Sequence, residues 1–166
     1  MDSTTLTVEE FLKSAEDFEQ ISDRLNDGWT LHKNSVDLHK SFIRKETFLV
    51  QNGEASDMVK VDYVIFYNLS YGVPSFSFNM WNSSGVFLTL DEIREMSFVR
   101  INKKDFYSII TQQEHPIFLR PYFVMHPCQT EDLLATFRKD SKNIIVTFLS
   151  LITPLIRLNL PLEYGL

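Results

Sequence analysis

Cysteine is almost absent from this chain of 166 residues: Cys128 is its one thiol. A single sulfur cannot form an internal disulfide, which sets aside the stapled secreted scaffolds and points to a reducing, cytoplasmic setting. It also leaves no cysteine pair for a zinc site. There is no HExxH, and the four histidines, His32, His39, His115 and His126, make no metal-ligand spacing with the cysteine. No metal or other cofactor is expected. Glycine is scarce as well: none of the five stands in a GxGxxG or GxxxxGK[ST] frame, so nucleotide phosphates have no cradling loop. Positive charge is in deficit, 16 basic against 22 acidic residues for a net charge of −6. That is the wrong sign for neutralising nucleic-acid phosphates or docking on anionic lipid. Long apolar runs are missing too. The longest, Asn143 to Ile156, is too short to span a bilayer comfortably and contains Pro154. The start, "MDSTTLTVEEF", lacks the basic and apolar segments of a signal peptide. The expectation is one domain over 1–166, monomeric, with no transmembrane segment and no nucleic-acid partner.

What the chain has is phenylalanine, 14 copies in a composition that is 44% apolar, enough for an aromatic core. Thr7 to Leu25 reads as an amphipathic helix. Thr7 and Glu10 have capping-box spacing, Phe11, Ala15, Phe18, Ile21 and Leu25 form a stripe, and Asn26-Asp27-Gly28 ends it. Trp29 to Val50 reads as two strands, and the polar Gln51 to Asp57 as a loop. Val59 to Tyr71 reads as an alternating strand, interrupted by Gly72-Val73-Pro74 and resumed at Ser75 to Trp81. Asn82 to Gly85 is turn chemistry. Thr89 with Glu92 repeats the capping box, Phe118 to Met125 is extended, and Ile101 to Ile117 fits neither period. Glu131 to Arg138 reads as a helix capped by Thr130, and Asn143 to Leu158 as an apolar helix bent or broken at Pro154. This order predicts an α+β fold, with a sheet of about four antiparallel strands flanked by helices. The edge near Asn79 to Val86 is expected to be open to a partner strand.

Cys128 lies in "RPYFVMHPCQTEDLL". Composition and spacing alone favour a small buried hydrophobe over a reactive thiol. Three features favour reactivity. A helix start just beyond the thiol supplies partial positive charge, Pro127 pins the chain, and His126 offers a hydrogen bond or proton relay. Glu131 and Asp132, expected in the first helical turn, oppose a thiolate. An arginine shortly after the cysteine, as a cysteine phosphatase needs, is missing: the next is Arg138.

Four segments in chain order, "DYVIFYNLSYGVPSFSF", "LTLDEI", "TQQEHP…RPYFVMHPCQT" and "LNLPLEY", resemble the autophagy-related protein 10 family of E2-like conjugating enzymes. The resemblance runs from about Asp62 to Tyr164 and implies an E2-like core. It also implies that Cys128 carries a ubiquitin-like modifier, autophagy-related protein 12, as a thioester. An E1-like activating enzyme, autophagy-related protein 7, would charge it, and a lysine of the acceptor, autophagy-related protein 5, would receive the modifier. By the same resemblance His126 and Tyr71 orient or activate that lysine; Tyr63 and Tyr67 lie near Tyr71, and packing is the alternative role for each. His115 and Gln113 are assigned as a loop brace. The His-Pro-Asn segment of ubiquitin E2 enzymes is missing, so backbone donors, His126 or Tyr71 are left to support the oxyanion. The alternative from another class is a non-catalytic binding module of the same fold with an inert Cys128.

Overall fold

The first helix forms where two local signals agree. Thr7 accepts from the Glu10 amide and Glu10 accepts from the Thr7 amide, both at 3.1 Å. This closes the capping box of α1 (Val8–Leu25), whose Phe11, Ala15 and Phe18 point into the core. Asn26 ends the helix in the left-handed region at φ 53°. The computed structural model describes residues 5–50, 58–97, 100–137 and 141–165, with the side chains at 128, 129, 133, 134 and 137 outside that description. The expected loop Gln51 to Asp57 lies outside the described residues.

After α1 come β1 (Thr30–His32), β2 (Phe42–Val50), β3 (Met58–Asn68) and β4 (Val73–Trp81), an antiparallel meander as the alternation predicts. The helices α2 (Leu90–Glu95) and α3 (Lys103–Ile109) follow, then the hairpin of β5 (Ile110–Glu114) and β6 (Pro121–Met125), and finally α4 (Pro127–Phe137) and α5 (Ile144–Ile156). The fold is α+β, but the sheet has six strands in the order β1-β2-β3-β4-β6-β5, where about four were expected. The missed strand is β5, "ITQQE", in which only Ile110 is buried. An edge strand with a polar face carries no apolar alternation to find. The same hairpin overturns the expected open edge at Asn79 to Val86. β6 pairs with β4 at Ser77 and Phe78, Leu88 donates to the Met80 carbonyl, and Asn79 donates to the Pro121 carbonyl. The sheet edges are β1 and β5.

Two further expectations change. Val73 and Pro74 do not interrupt a strand; they begin β4, with Pro74 opposite Tyr67. Pro154 does not break α5, which runs on to Ile156. Proline at 154 cannot donate to the Ser150 carbonyl; Thr153 Oγ1 donates to that oxygen instead, at 3.4 Å.

Over the middle of β3 both faces are covered, so this strand is buried without interruption from Val61 to Tyr67. Its odd-numbered residues pack under α1, α2, α3 and α5, with Phe76, Phe78, Phe106 and Phe148. Val64 and Phe66 face the other way, with Tyr122 and Val124, beneath Phe42, Ile117 and Phe118. On that second face Asp62 is 1% exposed. Arg44 grips it with two bonds of 2.8 and 3.0 Å, and the Tyr122 hydroxyl donates to it at 2.7 Å. A buried carboxylate is tolerated only with such partners. Asp62→Asn keeps the volume and turns an acceptor into a donor facing Arg44 or Tyr122. Urea unfolding should show a loss of about 2–3 kcal/mol at unchanged m. Glu46→Ala, which removes the more exposed partner of Arg44, should cost under about 0.5 kcal/mol. Equal midpoints for Asp62→Asn and the native chain would remove the cluster from the stability argument.

Candidate active site

The cysteine segment is built on β6. Pro121 to Met125 is an apolar strand, and the His126 amide extends its ladder by donating to the Ile109 carbonyl at 2.8 Å. A helix begins at once: α4 starts at Pro127, not after Thr130. Proline at the first helical position has its φ preset and lacks an N–H that would have no intrahelical acceptor anyway. That preference outweighs the capping tendency of Thr130, which sits buried in the first turn at 3% exposure. Two consequences follow for Cys128. It occupies the first turn of α4 rather than the approach to it, and Glu131 and Asp132 fall in the second turn, so the first turn holds no acid.

The register brings the other expected residues to the same end of the sheet. β6 runs antiparallel to β4, with Ser77 opposite Val124 and Phe78 opposite Phe123. The C-terminal end of β6, leading into His126 and α4, therefore lies toward the N-terminal end of β4. There the β3–β4 turn carries Tyr71. In this turn the Gly72 amide donates to the Asn68 carbonyl at 2.8 Å and the Tyr71 amide to Asn68 Oδ1 at 3.0 Å. Gly72 stands at φ 65°, a conformation glycine adopts without penalty. Tyr71 is 38% exposed, whereas Tyr63 and Tyr67 are core residues. The Tyr67 hydroxyl is spent on the Leu6 carbonyl, and burial pushes the Tyr63 phenol far up. Of these tyrosines, Tyr71 is the one a partner can touch. His126 is half-buried beside the helix start. The Cys128 side chain is outside the description; its place on α4 is fixed by the backbone. Among the described residues no group of three metal-ligating side chains comes together, and no helix is long and apolar enough to cross a membrane.

His115 does act as a brace. It is fully buried after β5 and stacks on Phe118 at 4.5 Å. Its Nδ1 accepts from the Ile117 amide at 3.1 Å, which puts the proton on Nε2, 3.0 Å from Ser77 Oγ on β4. Gln113 is exposed on β5, opposite Tyr122. What sequence reasoning missed is the Arg44–Asp62–Tyr122 cluster. Its signal was a lone carboxylate inside the apolar run "VDYVIFY", which requires a cation from a neighbouring strand.

Burial pushes the His115 imidazole down to about 4, against the opposing pull of the Asp62 charge. An unfolded histidine titrates near 6.5. Between those values the unfolded chain takes a proton that the folded chain refuses. Stability carried by neutral His115 is therefore present above about pH 6.5 and lost as pH falls toward about 4. Relative to a His115→Gln variant, the native chain should lose stability over that window at up to about 1.4 kcal/mol per pH unit. Urea midpoints across the window measure it, and parallel curves for the two proteins would refute it.

With this geometry in place, comparison with known proteins is informative. The family model described as "Autophagocytosis associated protein, active-site domain" matches residues 6–163. The chain is 36% identical to the ubiquitin-like-conjugating enzyme ATG10 of Homo sapiens over 127 residues, covering 70% of this chain and 57% of that protein. It is 32% identical to the enzyme of the same name from Arabidopsis thaliana over 114 residues, 61% of this chain and 51% of that one. A Dictyostelium discoideum protein of that name is 27% identical over 117 residues, 60% of this chain and 51% of its own length. The chain thus spans about half the length of these relatives.

Proposed function

The chain belongs to the autophagocytosis-associated active-site family, and from that premise we propose that it is an E2-like conjugating enzyme carrying a ubiquitin-like modifier as a thioester on Cys128. The observation that carries the reading is the placement of Cys128 on the first turn of α4, started by Pro127, at the sheet end that also bears the Tyr71 turn. A helix start favours sulfur in its anionic form, both as nucleophile and as leaving group. Its first N–H groups have no intrahelical acceptor, so they are suited to stabilise an oxyanion where the usual asparagine is missing.

The reaction runs in two exchanges. In charging, the Cys128 thiolate attacks the modifier's thioester carbonyl on the activating enzyme. A new C–S bond forms, the old one breaks, and the activating enzyme's thiolate leaves. In transfer, the neutral Nζ of an acceptor lysine attacks the Cys128 thioester, a C–N bond forms, and the Cys128 thiolate departs. The lysine gives up a proton to a nearby base, the role assigned to His126, while the exposed Tyr71 contacts the incoming lysine. The partners in this reading are the E1-like autophagy-related protein 7, the modifier autophagy-related protein 12 and the acceptor autophagy-related protein 5. The chain acts as a monomeric cytoplasmic transferase with one conjugating domain.

Two experiments decide the main points. With activating enzyme, ATP and modifier, the native chain should give an adduct on a non-reducing gel that thiol reductant removes. Cys128→Ser should give an adduct that resists reductant. A charged activating enzyme with no adduct on this chain would favour the non-catalytic binding module. His126→Ala should keep charging within about twofold and slow single-turnover transfer by roughly 10- to 100-fold. Equal loss of both steps would assign His126 to the fold instead.

A further inference from the structure

The segment before α1 holds the turn that carries Tyr71. Leu6 uses both of its backbone groups for this. Its amide donates to the Gly72 carbonyl at 2.6 Å, on the far side of the turn from Tyr67. Its carbonyl accepts from the Tyr67 hydroxyl, on the near side. Tyr71 therefore stands between two points tied to a single residue. Contact is close: a Cβ on Gly72 would lie 2.9 Å from Thr5 Cβ and 3.4 Å from the Leu6 carbonyl oxygen. Phe11, one turn into α1, packs on the Tyr67 ring at 5.7 Å.

The helix does not need this arrangement to stay in place. Phe11, Ala15 and Phe18 are fully buried, and Asn143 at the start of α5 donates to the Ser14 carbonyl at 2.9 Å. The ties made by Leu6 act instead on the turn, a short loop with an exposed aromatic at its tip, adding to the bonds that Gly72 and Tyr71 make to Asn68 within it. Transfer from a thioester is sensitive to where such an aromatic lies, because displacement of an orienting group by about 1 Å can cost on the order of 100-fold.

We propose that residues 5–7, closed onto the sheet by the Tyr67 hydroxyl, form a strap that positions Tyr71 for the transfer step. Tyr67 is thus a positioning residue that acts through Tyr71 and not on the modifier. This rests on the thioester reading above and on Tyr71 facing the incoming lysine. The strap also joins the first turn of α1 to the reacting end of the sheet.

Tyr67→Phe removes the hydroxyl alone. The purified chain is charged, the activating enzyme is quenched, and discharge onto free lysine is followed in a single turnover. Charging should stay within about twofold of native while discharge slows about fivefold, the scale of one lost hydrogen bond. In a Tyr71→Ala background, where discharge is already slow, Tyr67→Phe should add nothing, because two residues acting as a unit are not additive. Unchanged discharge in Tyr67→Phe, additive losses, normal discharge by Tyr71→Ala, or parallel loss of charging and discharge would each overturn the positioning role. The thioester reading fails separately, and takes the strap's role with it, if the native chain forms no adduct at all.

Discussion

Asp62 is a carboxylate with almost no water around it, in the middle of a strand buried from Val61 to Tyr67. Alone there it would cost more than most other contacts could offset. It is held by Arg44 from β2 on one side and by Tyr122 from β6 on the other. The Tyr122 bond matters most for the site, because it reaches past β4, which lies between β3 and β6 in the sheet. The backbone ladder joining β4 to β6 consists of the Ser77–Val124 and Phe78–Phe123 pairs. So short a ladder leaves side chains to fix how β6 lies, and the charge on Asp62 supplies the strongest of them. Burial and the Asp62 hydrogen bond push the Tyr122 phenol up to about 12, so it remains a donor throughout the physiological range.

His115 secures the same end of the strand, its ring 4.9 Å from that of Tyr122. It orders the β5–β6 connection through the Ile117 amide and joins it to β4 through Ser77. An imidazole that refuses its proton suits this task, since a cation there would be buried and would lose its acceptor for the Ile117 amide. With Tyr122 and His115 in place, β6 delivers His126 and Pro127 to one end of the sheet, and α4 begins without an intervening loop. The small cluster on the second face thus supports the cysteine segment, while Phe48 and Val50 on the same face of β2 stay open to solvent.

How much of this could be read from the sequence depends on how local each cause is. Both capping boxes, Thr7 with Glu10 and Thr89 with Glu92, were legible because all their partners lie within one helical turn. The β1–β4 meander was legible from alternation and turn residues. β5 was not, because "ITQQE" buries only its first residue and owes its strand conformation to β6. The start of α4 was misread because Thr130 and Pro127 are both helix-start signals, and the geometry of proline prevailed. The continuous burial of β3 was hidden because what covers its second face comes from Ile117 and Phe118, more than 50 positions away in sequence. Cys128, His126 and Tyr71 could be singled out as candidates from the sequence. The supports for them, Arg44, Asp62 and the Tyr67–Leu6 bond, depend on pairings that no local pattern encodes.

A carrier of an activated acyl group faces two opposed demands. Its thiol must be open enough for a large donor protein to reach, yet the second exchange needs an amine held in line and freed of its proton. In the reading proposed above, different parts meet each demand. β6 and the first turn of α4 carry Cys128, and β6 is held by the Asp62–Tyr122 bond and by His115. The groups assigned to the amine, Tyr71 and His126, come from elsewhere: one is on a hairpin tip held by the chain before α1, the other is at a strand end bonded to the α3–β5 junction. Damage to the supports behind β6 should therefore lower stability and both exchanges together. Damage to the ties around Tyr71 should leave charging intact and slow transfer alone. That separation follows from where the contacts lie: Asp62 and His115 act on β6 and its connection, whereas Leu6 acts on the β3–β4 turn.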